Sequence, residues 1–223
     1  MCLVSYVPLT NGFVLSSNRD ESPMRAVKNI STQELGSRTI HFPTDSSGGS
    51  WIFHSDRSEV ICLLNGAFVN HKRVLPYRMS RGIVMRSFFE YETATNYLSK
   101  FSFTGIEPFT MIINTPEGFY EFRWDGLKKH ILNLDRTKVH VWSSCTLYTP
   151  EIVDKREEDF NTMLNGRDKL DPNEVKEIHL TADPNDMANG FIMNRSNIVA
   201  TISLTQIIKT ANAIEMNHMN LEA

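Results

Sequence analysis

Apolar and polar positions alternate in short runs along most of this chain, and the runs come in pairs separated by turn chemistry. The first run, residues 2–7, is rich in β-branched and aromatic side chains. Pro8-Leu9-Thr10-Asn11-Gly12 follows it, and Asn-Gly between two such runs is a strong hairpin signal. Phe13-Val14-Leu15-Ser16-Ser17 returns as the second strand. The same pattern predicts strands at 50–54 and 60–64 around a polar Ser55-Asp56-Arg57-Ser58-Glu59. It predicts others at 109–114 and 119–124 around Thr115-Pro116-Glu117-Gly118, and at 131–134 and 139–143 around Asp135-Arg136. Strands at 198–204 and 213–216 complete about ten in all.

Two blocks carry a helical period instead. After Pro76, Ile83, Val84, Ser87 and Phe88 recur at three- and four-residue steps, continued by Tyr97, Leu98 and Phe101. Thr149-Pro150 supplies an N-cap hydroxyl and a proline at the first helical position. The helix it opens shows Ile152, Val153, Phe160, Met163 and Leu164 on one side and stops near Asn165-Gly166. Asp171-Pro172 opens a shorter helix, apolar at Val175 and Ile178. Hairpin-linked strands with helices between groups of them predict an α+β fold with largely antiparallel sheets. The polar stretches Asp45-Ser46-Ser47-Gly48-Gly49 and 183–189 read as mobile loops, the second polar enough to act as a lid.

The hairpin brings candidate chemistry to the amino terminus. Cysteine follows the initiator methionine directly, so trimming of Met1 would leave Cys2 with a free α-amine beside its thiol. The thiolate is then the nucleophile, and the amine, with an ordinary pKa of about 7.7–8.0, can take and return a proton near neutrality. A hairpin of this length returns Asn18-Arg19-Asp20-Glu21 close to Cys2. Arg19 would favour the thiolate, and Asp20 would hold the ammonium or orient Arg19 through a bidentate pair.

The tetrapeptide Asn18-Arg19-Asp20-Glu21 after a Met-Cys hairpin resembles the NRDE family, the transport-and-Golgi-organisation group. Gly48-Gly49-Ser50-Trp51 resembles that family's Gly-Gly-Thr-Trp, and Ile61-Cys62-Leu63-Leu64-Asn65 its apolar strand ending in Thr-Asn. Ser80-Arg81-Gly82 and Asn194-Arg195-Ser196-Asn197 match further pieces in order. The family is similar to N-terminal-nucleophile hydrolases of the cysteine type. The resemblance therefore implies a four-layer αββα sandwich, formed by residues 1–223 as one domain. It also implies that Cys2 is the nucleophile, Arg19 and Asp20 the charged pair beside it, Asn65 an oxyanion donor and Arg195 a second cation. Asn18, Glu21, Trp51 and His71 join Arg195 as candidates for substrate binding. Two positions depart from the family pattern: Cys145 stands where an asparagine is usual, and Gly66 where a tyrosine commonly follows Thr-Asn.

The implied activity is hydrolysis of an amide or thioester in a small or acyl-bearing substrate. The alternative is a non-catalytic protein of the same fold that holds haem or an acyl-lipid, with Arg19 and Arg195 pairing a propionate or carboxylate. Composition narrows the field. Net charge is −3 and no basic run is interleaved with aromatics, so nucleic acid has no electrostatic footprint. No apolar run approaches the roughly 20 residues that cross a bilayer, and no charged leader precedes the first strand. The seven histidines show no ligand pair at helical spacing, and the three cysteines fit neither a zinc motif nor a disulfide framework. A reduced, cytoplasmic setting with no required cofactor or metal is the expectation.

Overall fold

The computed structural model describes residues 3–165, 167 and 170–221. Two antiparallel sheets stack face to face, and helices cover both outer surfaces. One sheet contains β1 (Leu3–Leu9), β2 (Gly12–Glu21), β10 (His140–Ser143), β11 (Asn194–Arg195), β12 (Val199–Lys209) and β13 (Ile214–Asn220). Its order is β10-β1-β2-β12, with β11 and β13 both paired to β12. The other runs in simple sequence order through β3 (Val27–Leu35), β4 (Arg38–Asp45), β5 (Ile52–Ser55), β6 (Val60–Asn65), β7 (Phe109–Thr115), β8 (Gly118–Trp124) and β9 (Lys129–Asn133). Helices α1 (Arg81–Arg86) and α2 (Ala94–Lys100) pack outside this second sheet, joined by a 3₁₀ turn at Ser87–Glu90. Helices α3 (Pro150–Asn165) and α4 (Pro172–His179) pack outside the first. This is the expected αββα sandwich.

The side-chain period of two explains the layering, because alternate residues of a strand face opposite sides. On β1, Val4 and Tyr6 enter the main core, whereas Leu3 and Val7 join the cluster under α3 and α4. Phe160 of α3 and Val175 and Ile178 of α4 are fully buried in that second cluster. Such side chains contribute about 1.5–3 kcal/mol each on burial. Asp171 caps α4 through Oδ1, which accepts from the amides of Asn173 and Glu174 at 2.9 and 3.1 Å.

Three of the thirteen described strands lie outside the sequence expectation: β3, β4 and the two-residue β11. Strand β3 reads Val-Lys-Asn-Ile-Ser-Thr-Gln-Glu-Leu and buries only Val27. It is an edge strand, where charged side chains block unwanted pairing and erase the apolar alternation. Strand β2 also runs four residues further than expected, taking in Asn18 to Glu21. Those residues form ladder, with Arg19 opposite Ser203 and Asp20 opposite Thr201. The register of β12 shifts between these two partners, a bulge set beside the charged pair. Position 166, the expected helix stop, lies outside the described residues.

Candidate active site

Leu3 pairs with Asn18 on one flank and with Ser143 on the other, so the end of β1 lies between Asn18-Arg19 and Ser143-Ser144. Ser144 Oγ donates to the Asn65 carbonyl at 2.8 Å, which ties the end of β6 in the opposite sheet to the same place. Cys2 itself lies outside the described residues.

Arg19 is 3% exposed and deeply engaged. Nη2 donates to Asp45 Oδ2 at 2.6 Å, Nη1 to the Arg25 carbonyl at 2.7 Å, and the guanidinium lies 4.2 Å over the Trp51 ring. Asp45 is shared: Arg25 Nη2 reaches the same oxygen at 2.7 Å. Its other oxygen accepts from the amides of Ser47 and Gly49, both at 2.8 Å. Burial by itself would raise the Asp45 carboxyl, but the two amides and Arg19 outweigh it and hold it below the usual range. Burial lowers the Arg19 guanidinium, and Asp45 opposes that. The 45–49 stretch, expected to be mobile, is thus an Asp-centred turn that clamps Arg19.

Asp20 does not orient Arg19, one of the two roles expected of it; Arg19 pairs with Asp45 instead. Adjacent residues of a strand face opposite sides, and Asp20 turns away to accept from Thr201 Oγ1 at 2.6 Å and Tyr148 Oη at 2.8 Å. Asn18 shares that second face. Its amide donates to the carbonyls of His179 and Phe191, each at 2.9 Å, and its oxygen meets His179 Nδ1 at 2.9 Å. Fully buried and fully engaged, Asn18 braces α4 against the sheet instead of offering itself to a substrate. His179 must carry its proton on Nδ1 to complete this set, leaving Nε2 to accept from Ser5 Oγ at 2.7 Å. Burial, with Arg156 adding to it, pushes the His179 pKa down to about 3, so the ring is neutral.

Arg19, Glu21, Trp51 and Asn65 line a common cleft of about 640 Å³, with Arg81 and Tyr77 from the segment after β6 on its far wall. Trp51 is 2% exposed, and its indole N–H has no hydrogen-bond partner. Glu21 bonds Arg25 at 2.8 Å and stands 3.8 Å from Arg19. His71 is one step behind the cleft wall: Nε2 contacts Glu107 at 3.3 Å, and Glu107 meets Arg81 at 3.4 Å. Arg195 is not among the cleft residues. It bonds the Leu147 carbonyl at 3.0 Å and Asn189 Oδ1 at 3.1 Å, and its guanidinium lies 5.3 Å from the Tyr148 ring. Arg156 approaches the same ring at 4.3 Å and bonds the carbonyls of Asn189 and Gly190. These two arginines fasten the 183–189 segment, expected to be a lid, to the body of the fold.

Sequence reasoning missed Asp45, Arg25, Tyr148 and Arg156. Only Asp45 had a local signal, an aspartate followed by small residues at the second and fourth positions, as an Asx-type turn requires. The two departures at 66 and 145 meet in space. Gly66 has φ +78°, and a Cβ there would lie 2.4 Å from Cys145 Sγ and 2.8 Å from Thr146 Cγ2. A larger residue at 66 is incompatible with this placement of Cys145. Both described thiols are poor nucleophiles: burial pushes Cys62 up to about 12 and raises Cys145 as well. Among the described residues no cluster of three ligand-type side chains could hold a metal ion, and no helix is long and apolar enough to cross a membrane.

Two antiparallel sheets stacked between helical layers form an αββα sandwich of the N-terminal-nucleophile hydrolase type. The structure resembles penicillin V acylase from Agrobacterium tumefaciens with a TM-score of 0.53 at 9% identity, covering 99% of this chain and 86% of that one. It also resembles the C2A mutant of conjugated bile acid hydrolase from Clostridium perfringens, with a TM-score of 0.48 at 8% identity over 99% and 92% of the two chains. No curated protein sequence matches. The sequence profile described as Transport and Golgi organisation 2 matches residues 1–212, and the chain belongs to that family.

Proposed function

We propose that the chain is a cysteine N-terminal-nucleophile hydrolase acting on the C–N amide bond, or a thioester, of a small or acyl-bearing substrate. The observation that carries this reading is the burial of Arg19 and Asp20 within the β2 ladder next to the β1 terminus. A solvated charged turn would leave both side chains in water. Here each has its own dedicated partners, a cost that a merely structural hairpin end does not require. Cys2 precedes Leu3, the first residue of β1, directly in the sequence.

In this mechanism the Cys2 thiol gives its proton to the α-amine and the thiolate attacks the substrate carbonyl. Asn65 lines the cleft and serves as the donor to the oxyanion. Collapse of the tetrahedral adduct returns the proton to the leaving amine and leaves a thioester on Cys2. Water, deprotonated by the amine, then releases the acid and regenerates the thiol. Arg19 supplies positive charge whose direction is fixed by Asp45, and a reduced cytoplasmic setting keeps the thiol free.

Intact mass of protein made at low expression should show loss of Met1, and a panel of N-acyl amides and acyl thioesters should reveal turnover abolished by Cys2→Ala. Retained Met1, or equal turnover by Cys2→Ala, overturns the proposal. The second reading is a binding protein for haem or an acyl-lipid. It draws support from the cleft's size and its mix of Arg73 and Arg81 with Leu75, Met79 and Ile83. Saturable ligand binding that is unaffected by Cys2→Ala, without turnover, would favour that reading.

A further inference from the structure

A second cavity, of about 610 Å³, lies at the far end of the sandwich, among the hairpin turns. Phe13 on its wall is six residues along β2 from Arg19, about 20 Å away at the rise of a strand. Tyr6 and Phe13 form an aromatic floor, their ring centroids 5.1 Å apart, and Leu9 adds apolar surface. Asn114 of β7 is 3% exposed, lines the same cavity, and its side-chain Nδ2 has no hydrogen-bond partner. A buried amide donor without an acceptor is rare in folded proteins and calls for a physical account.

The charged side chains that line it are both cations. Arg136 and Lys209 line the cavity, and no carboxylate is among the described residues that do. Arg136 bonds the carbonyls of Thr115 and Pro116, which holds its guanidinium at the rim. Lys209 Nζ has one neutral partner, the Thr210 carbonyl at 2.7 Å. The neighbouring Asp135 spends Oδ1 on Thr137, accepting from its amide at 2.9 Å and its hydroxyl at 2.7 Å. Even the Tyr6 hydroxyl acts as a donor here, to the Arg136 carbonyl at 3.2 Å. Donors and cations therefore converge over an apolar floor.

We propose that this cavity binds a small organic anion, a carboxylate carried on a flat apolar body. The carboxylate pairs with the two cations beside Asn114, and the body lies on Tyr6 and Phe13. A bare inorganic anion would leave the aromatic floor uncovered, and an amine would face two like charges. The site is independent of the cleft at the other end of β2, and the proposal stands whether or not that cleft is catalytic.

Calorimetric titration of the full chain at low salt, with phenylacetate, inorganic phosphate and phenethylamine as probes, tests it. Phenylacetate should bind at least tenfold tighter than either of the others. Lys209→Glu, at a half-exposed position, should weaken phenylacetate at least fivefold without changing the thermal midpoint. In amide NMR spectra, phenylacetate should shift the Asn114 side-chain NH₂ pair, and in the calorimetric titration Asn114→Leu should weaken phenylacetate at least threefold. If Asn114→Leu does not fold, Lys209→Glu decides alone. Phosphate binding as tightly as phenylacetate, stronger binding of the amine, or unchanged affinity in Lys209→Glu overturns the proposal.

Discussion

Replacing Asp45 with asparagine is the most informative single change, because Asp45 neutralises the buried Arg19. Asn at 45 keeps an oxygen able to accept from Ser47 and Gly49, so the turn survives while the negative charge goes. Asp45 and Arg19 have side-chain exposures of 0% and 3% and meet at 2.6 Å. Removing one member of a buried pair leaves the other charge uncompensated, at a cost of about 3–5 kcal/mol. Arg25 is 38% exposed and also loses a partner, but water replaces most of that contact. Taking the lower end, about 3 kcal/mol corresponds to a fall in midpoint of about 6–12 °C for a protein of this size. Urea denaturation of Asp45→Asn should show the same loss with an unchanged m value. An exposed ion pair serves as control: Arg57 and Glu92, 43% and 78% exposed and 3.9 Å apart, should yield less than about 0.5 kcal/mol on Arg57→Ala. Arg19→Leu combined with Asp45→Asn should be less destabilised than the sum of the single changes, since no charge is stranded. A loss below about 0.5 kcal/mol in Asp45→Asn would refute the reasoning.

Stability should fall in mild acid. Burial, with repulsion from His41, lowers His54 to about 4, and His179 stands at about 3. Unfolded histidine binds its proton near pH 6.5, so the neutral folded forms are fully favoured above that pH. Their contribution is lost as pH falls toward 4 and 3, with a slope of up to about 1.4 kcal/mol per pH unit for each ring. Urea midpoints that do not move between pH 7 and pH 5 would contradict this. Gly66→Ala should cost about 2 kcal/mol from its positive φ and the contact with Cys145 Sγ, and Cys145→Ala should recover part of that cost by denaturation; equal losses in both backgrounds would separate the two positions. Iodoacetamide at neutral pH should leave Cys62 unmodified in the folded chain and label Cys145 slowly, with Cys2 reacting first. Peptide mapping that finds Cys62 labelled as fast as Cys2 would contradict the burial assignment. Tyr148→Phe should cost about 1 kcal/mol through the lost hydrogen bond to Asp20, and a midpoint indistinguishable from the parent would show that the carboxylate does not depend on that bond.

Local pattern determined much of this molecule. Strands with clear alternation, such as β7 and β8 around Thr115-Pro116-Glu117-Gly118, and helices with explicit caps, such as α4 behind Asp171-Pro172, were legible because the signal and the structure lie within the same few residues. The Asn18 to Glu21 segment was legible as a cluster of charged and polar groups at a strand end but misread in form. Nothing local distinguishes a charged turn from a ladder segment whose side chains are paired from outside.

What tertiary structure alone decided is who pairs with whom. Asp45 reaches Arg19 from a sequence separation of 26, and Thr201 reaches Asp20 from one of 181. Sequence proximity suggested an Arg19–Asp20 pair, and the pleat of β2 forbids it by sending adjacent side chains to opposite faces. Edge strand β3 stayed hidden for a related reason: its residues face solvent and guard against unwanted partners, so no apolar rhythm marks it. The sequence carries the chemical groups and the periods of the elements. Which groups share one buried space depends on sheet order and facing, and those are set by the packing of the whole chain.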